Sequence, residues 1–178
     1  MHPIKHFKTI TKHRHCVLKH CIKAGIIKRG LLHDLSKYSP SEFWAGARYY
    51  VGTKSPNVLE REDKGYSSAW LHHKGRNRHH FEYWQDYSSV QRKVVPIKMP
   101  LKYVIEMFCD RVAASKIYKG KDYNDAYPLE YFMGGKDHRF IHSETSDLLE
   151  KLLIMLAQKG EKETFDYIKN TLLKQKDY

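Results

Sequence analysis

The segment from Leu101 to Tyr118 most constrains what this chain can fold into. Leu101, Val104, Ile105, Phe108 and Val112 recur at helical spacing along one side, and Tyr103, Met107, Ala114 and Ile117 form a second stripe. A helix that is apolar on most sides must be surrounded by other elements. Asp110 lies in the middle of the second stripe. A carboxylate in that place is costly unless a cation or a metal ion meets it. Taken alone, Asp110 reads most simply as one half of a buried ion pair with a Lys or Arg of a neighbouring helix.

The other segments read as helices around it. Phe7, Ile10, Val17, Cys21 and Ala24 place a helix over residues 7–24, with His13 on the same stripe and Gly25 as its stop. Ser39-Pro40-Ser41-Glu42 has the pattern of a helix start, with Ser as cap, Pro in the first turn and Glu three residues on. Residues 51–68 read as a loop with a short helix near Leu59, and 94–100, with two prolines, as a connector. Residues 119–142 form a Tyr- and Gly-containing excursion with a short helix after Pro128. Two closing helices, 144–158 and 161–174, are separated by Gly160. No strand is expected. The reading is all-α, one domain over residues 1–178, with a core at about 7–118 and C-terminal helices at about 143–175 packed on it.

With 178 residues the chain is long enough for one real core. Its 32 basic and 20 acidic residues give a formal charge of +12. That excess points to an anionic partner, either a phosphorylated small molecule, RNA or an acidic surface, or else to plain surface charge. The basic residues read as spread rather than gathered on one helix. Cys16, Cys21 and Cys109 cannot all pair, and none lies in a C-x-x-C spacing, so a reducing, cytoplasmic setting is expected. The N-terminal dozen residues lack the apolar run of a signal peptide. No segment has the length of a membrane span, so no membrane partner is expected.

The ligand-type residues are more specific. His33-Asp34 follows an apolar pair and reads as the head of a buried helix. Imidazole and carboxylate side by side suit a hard or borderline divalent metal, and an aspartate between two metals can bridge them. Lys37 follows Asp34 by one helical turn and is a usable phosphate binder, or merely an exposed helix Lys. Two His-His pairs, His72-His73 and His79-His80, lie seven residues apart, interleaved with Lys74, Arg76 and Arg78. In a helix the corresponding members share a face, whereas Gly75 favours a turn. A solvated basic loop is the plainer alternative.

Three motifs in order carry a resemblance. They are His13 with Val17 four residues on, then Leu32-His33-Asp34-Leu35-Ser36-Lys37, then Asp110-Arg111-Val112. The chain resembles the HD superfamily of metal-dependent phosphohydrolases over roughly Phe7 to Tyr118, and looks like a small bacterial and phage-type branch of it. The resemblance implies an all-α core with a metal between helices, held by His13, His33, Asp34 and Asp110, and Asp34 as bridge to a second ion. Members with two metals also use histidines between the His-Asp pair and the final Asp. His72 or His73, and His79 or His80, occupy that interval, with His73 and His79 preferred. The glycine-tyrosine-proline signature of cyclic-dinucleotide phosphodiesterases is absent.

The expected function is therefore hydrolysis of a nucleotide or other phosphate ester by a metal-activated water. One or two divalent ions (Mn, Fe, Co, Ni, Mg or Zn) would serve. Asp34 and Lys37 would carry the chemistry, and Lys37, Lys74, Arg76 and Arg78 would neutralise phosphate. Two rivals stand beside it. One is a di-iron oxygenase of the same fold, and the other a non-catalytic basic helical module that binds nucleic acid.

Overall fold

The computed structural model describes residues 1–175 and 177–178. Helix α1 (Pro3–Lys23) ends at Ala24, and Gly25 turns the chain with φ +82°, a conformation that L side chains rarely adopt. Helix α2 (Ile27–Leu32) then packs back on α1. The approach is close because Gly30 has no side chain: a Cβ there would lie 2.7 Å from Cys21 Cβ. Helices α3 (Pro40–Arg48), α4 (Pro56–Lys64) and α5 (Ser68–Lys74) form a second layer over the N-terminal half of α1.

Helix α6 (Leu101–Lys119) is the hub. Val104, Ile105, Phe108, Cys109 and Val112 are fully buried against Val17, Cys21 and Ala24 of α1 and Leu149, Leu152 and Leu156 of α8 (Ser143–Asn170). Each of the large side chains among them contributes about 1.5–3 kcal/mol by leaving water. Helix α7 (Tyr127–Met133) inserts Phe132 into the same core. The two closing helices expected on either side of Gly160 are both present: Gly160, with φ 76° and ψ 175°, leaves the helical region and breaks α8 into two helical segments.

The protein is mostly helical and a single compact domain, but the all-α reading needs one correction. Strands β1 (Gln85–Ser88) and β2 (Lys93–Pro96) form an antiparallel hairpin, with Gln85 opposite Pro96 and Ser88 opposite Lys93. The two prolines hid β2. Pro96 ends a strand of a two-stranded ribbon, where a missing N–H costs little, and Val94-Val95 supply β-branched side chains. A second correction concerns charge. Helix α1 carries Lys5, Lys8, Lys12, Arg14, Lys19 and Lys23 and no acidic residue, so half of the chain's formal +12 is gathered on one helix. Among the described residues, no helix is long and apolar enough to cross a membrane.

Candidate metal centre

The His-Asp pair does not head a buried helix. His33 caps the C-terminus of α2 in extended geometry, and Asp34 is left-handed, with φ 52° and ψ 28°. A short 3-10 turn, Leu35–Tyr38, follows. The left-handed region costs a residue with a Cβ about 1–2 kcal/mol and is tolerated best by Gly, Asn and Asp. Here it turns two successive side chains inward, and both residues are 1% exposed. Arg14 of α1 fixes the corner by donating to the carbonyls of His33 (2.8 Å) and Leu31 (3.2 Å).

Two donor sets meet at Asp34. In the first, His13 Nε2 lies 2.9 Å from Asp110 Oδ1 and 4.0 Å from Asp34 Oδ2, while His33 Nε2 lies 3.4 Å from Asp34 Oδ2 and 3.5 Å from Asp110 Oδ1. In the second, Asp34 Oδ1 lies 3.3 Å from His73 Nε2 and 3.5 Å from His79 Nε2, and His80 Nε2 stands 2.9 Å from His73 Nε2. Four tetrahedral donors about 2.1 Å from one ion stand about 3.4 Å from one another. Both sets have that spacing, and in each the donor atoms all lie within 4.8 Å of one another. Asp34 offers one oxygen to each set.

The donor set fits a metal on a second ground. His13 Nε2, His33 Nε2, His79 Nε2 and both carboxylate oxygens of Asp34 are buried without a hydrogen bond of acceptable geometry. Unpartnered buried polar atoms are rare and costly, and outside the cluster only one of these five, Asp34 Oδ2, is met by another group, the Lys37 ammonium.

The far sides of the rings are anchored. His33 Nδ1 (3.1 Å) and His79 Nδ1 (3.3 Å) both face Glu106, which also accepts from Arg29 Nε (2.7 Å). His73 Nδ1 donates to Glu42 Oε2 (2.7 Å). A proton held on Nδ1 leaves Nε2 bare, the tautomer a metal needs. Glu106 also falls within a third possible ligand group with His33 and His79. Its pairing with Arg29, and its approach to the same rings from the Nδ1 side, make it a positioning group instead.

Electrostatics agree. Burial opposes the charge on Asp34, yet the charges of His33, Lys37 and His73 hold its carboxyl well below the usual range. Burial also opposes the charge on Asp110, and the adjacent His13 and His33 imidazoles outweigh it and hold its carboxyl well below the usual range. Glu106 is driven down to about 2, against burial, by hydrogen bonds from His33 and His79. Burial lowers His13, His79 and His80, which stay neutral and ready to ligate. Burial also disfavours charge on His33, but the Asp34 carboxylate and its hydrogen-bonding neighbours hold its pKa well above the ordinary value, so a metal must displace that proton.

The expected residues sort clearly. His13, His33, Asp34, Asp110, His73 and His79 converge, and His80 joins them. His72 does not, because its Nδ1 donates to Glu42 Oε1 at 2.6 Å, outside both sets. Helix α5 ends at Lys74, and the turn after it, not a continuous helix, returns His79 and His80 to the site. Asn77 ties that turn down by donating to Ser36 Oγ (2.8 Å) and the His73 carbonyl (2.8 Å). Lys37 is in place, its ammonium paired with Asp34 Oδ2 at 2.6 Å.

Lys74, Arg76 and Arg78 do not line the cavity over the site; Arg76 and Arg78 point to solvent, and Arg78 lies against Tyr83. The cavity, about 520 Å³, takes its cations from Lys37, Lys54, Arg111 and Lys119, and aromatic walls from Trp70, Phe81, Tyr118, Tyr127 and Tyr131. Arg111 makes no ion pair among the described residues, and its Nε is buried without a partner. Helical phase explains why these cations are hard to find, since Lys54 and Lys119 flank the site only after α4 and α6 are docked. Glu106 had a usable signal. It precedes Asp110 by four residues, on the same face of a helix that is otherwise apolar.

No curated protein and no solved structure matches the chain. A family model described as a family of unknown function matches residues 2–155, a span that holds both donor sets and the glutamates behind them. The chain belongs to that family, DUF5662.

Proposed function

We propose that this chain is a two-metal phosphohydrolase of the HD superfamily. The observation that carries this reading is the sharing of Asp34. One oxygen faces His13, His33 and Asp110, the other faces His73, His79 and His80, and four of these donor atoms have no other partner. The order of elements supports it too: a His on α1, the His-Asp pair after α2 and an Asp on α6. The free thiols of Cys16, Cys21 and Cys109 support a reducing, cytoplasmic setting.

His13, His33, Asp34 and Asp110 would hold one ion, and Asp34, His73, His79 and His80 the other. Bound metal supplies a water of lowered pKa and a Lewis acid for the phosphoryl oxygens. The protein does the rest. Lys37, held cationic beside Asp34, faces the phosphate and offsets charge that moves toward the leaving group. Arg111 presents a buried guanidinium edge to an incoming anion. The apolar and aromatic walls exclude water around the reacting group. A phosphate ester fits this cation-lined cavity better than an uncharged substrate would.

The test is a screen of phosphate esters with metal-loaded protein, run in parallel on three variants. Asp34→Asn keeps the shape and the left-handed backbone but removes the shared charge, and should abolish hydrolysis and weaken metal binding. Asp110→Asn should do the same. Lys37→Ala should keep metal and lose turnover. Full metal and full activity in Asp34→Asn would end this reading. A mixed-valent iron signal without any hydrolysis would replace it with the oxygenase.

A further inference from the structure

The outward face of α1 is a continuous cationic stripe. Lys5, Lys8, Lys12, His15, Lys19 and Lys23 are all exposed and recur every three or four residues. Lys23 pairs with Glu161 at 2.8 Å, but Lys5, Lys8, Lys12 and Lys19 have no acidic partner among the described residues. A helix that gathers like charges without compensation is destabilised by them, so the stripe answers to something other than stability.

Part of the stripe borders a concave surface. Lys8, Lys12, His15 and Lys19, with Lys116 of α6, whose ammonium is already paired with Glu161, line a cleft of about 570 Å³ that has no carboxylate in its walls. Phe7, half exposed, and Ile117 give it apolar patches between the lysines. Ile117 also lines the cavity over the donor sets, and Lys119 lies on that cavity's wall. The cleft and the cavity therefore adjoin at Ile117. From Lys8 to Lys19 the helix rises about 16 Å, long enough for several successive phosphates.

We infer that this cleft is the path of a single-stranded nucleic acid, whose end enters the cavity beside Asp110 and Arg111. A row of cations with a sequence-neutral aromatic face is the usual construction for single strands. A duplex would not follow a cleft walled on both sides by α1 and α6. An acidic protein would find only lysines here, with none of the bidentate arginines that suit carboxylates. The inference rests on the phosphohydrolase reading and narrows it, because the substrate becomes a polynucleotide end instead of a free metabolite.

The experiment measures binding apart from catalysis. Fluorescence anisotropy of a short labelled oligo(dT) and oligo(U) is followed while potassium chloride is raised from about 50 to 200 mM. Hydrolysis of bis(4-nitrophenyl) phosphate is measured on the same preparations. Three lysine–phosphate contacts predict a slope of log K on log salt of about −2. Lys8→Glu/Lys12→Glu/Lys19→Glu should lower oligonucleotide affinity more than tenfold and flatten the slope, with small-ester hydrolysis unchanged. Lys→Gln at the same positions should fall between. A flat salt dependence in the wild type, or equal binding by the charge-reversed variant, overturns the inference while leaving the hydrolase intact. Tighter binding to phosphatidylserine vesicles or polyglutamate than to either oligonucleotide also overturns it. Salt-dependent, lysine-dependent binding with no hydrolysis of any ester would keep the cleft and remove the phosphohydrolase.

Discussion

Both donor sets lean on Glu106. Its carboxylate is fully buried and meets Arg29 Nε at 2.7 Å, His33 Nδ1 at 3.1 Å and His79 Nδ1 at 3.3 Å. Glu106→Gln keeps the shape but turns one oxygen into an NH₂ group. Three donors then compete for one amide oxygen, and at least one faces an N–H. An imidazole in that position moves its proton to Nε2, the atom that must be bare to bind metal.

Loss of such a partner behind a ligand histidine costs about 10–100-fold in metal affinity, or about 1.4–2.7 kcal/mol. His33 serves one set and His79 the other, so the variant should weaken both sites. Fold stability should fall as well. A fully buried ion pair loses about 3–5 kcal/mol when one partner goes. The Arg29 side chain is 26% exposed, so water screens part of that loss and about 2–3 kcal/mol is expected. Manganese titration against a competing chelator reads the first effect, and urea melting of the metal-free protein reads the second. Unchanged affinity at both sites would refute the argument that Glu106 sets the tautomers.

Three further outcomes follow from named contacts. His73→Ala should cost one of two bound ions, whereas His72→Ala should leave both, and elemental analysis of the two variants separates adjacent histidines; equal losses would contradict the assignment. Arg111→Met should raise KM for a phosphate ester at least tenfold with metal content unchanged, and an unchanged KM would remove Arg111 from the anion site. His20, 3% exposed and stacked on Phe165, is held neutral by burial and by the Lys116 charge, with its pKa lowered to about 3. The unfolded chain, near 6.5, takes up the proton first, so stability is complete above that pH and falls as the pH drops toward 3. The loss attributable to His20 is about 2 kcal/mol at pH 5, and His20→Gln, metal-free, should lack it in urea melts at pH 7 and pH 5.

What the sequence disclosed follows from how local each signal is. The helical stripe through His13 and the apolar helix around Asp110 depend on a 3.6-residue period, so local spacing alone places both residues on inward faces. Residue type alone marks the His-Asp pair, but nothing local reports its backbone conformation. A left-handed Asp34 at a helix–turn junction has no periodicity to betray it. Glu42 looked like a capping-box residue three positions after Ser39, and its tertiary pairing with His72 and His73 overrides that role. The cations near the His-His pairs in sequence, Lys74, Arg76 and Arg78, do not line the cavity. The cavity's charge is set by which helices dock around it, and Lys54 and Arg111 reach it from elements far apart in the chain. The hairpin was missed because its strands are only four residues long and Pro96 ends one of them.

The central claim is that Asp34 is shared between two metal ions. Anomalous X-ray scattering from manganese- or zinc-loaded crystals, paired with elemental analysis of the same protein, tests it most directly. The account predicts two ions per chain about 3.5–4 Å apart, one on each oxygen of Asp34. One peak among His13, His33 and Asp110 alone, with His73, His79 and His80 unligated, would contradict the shared centre. Retention of no metal by the wild type would contradict the metal centre altogether.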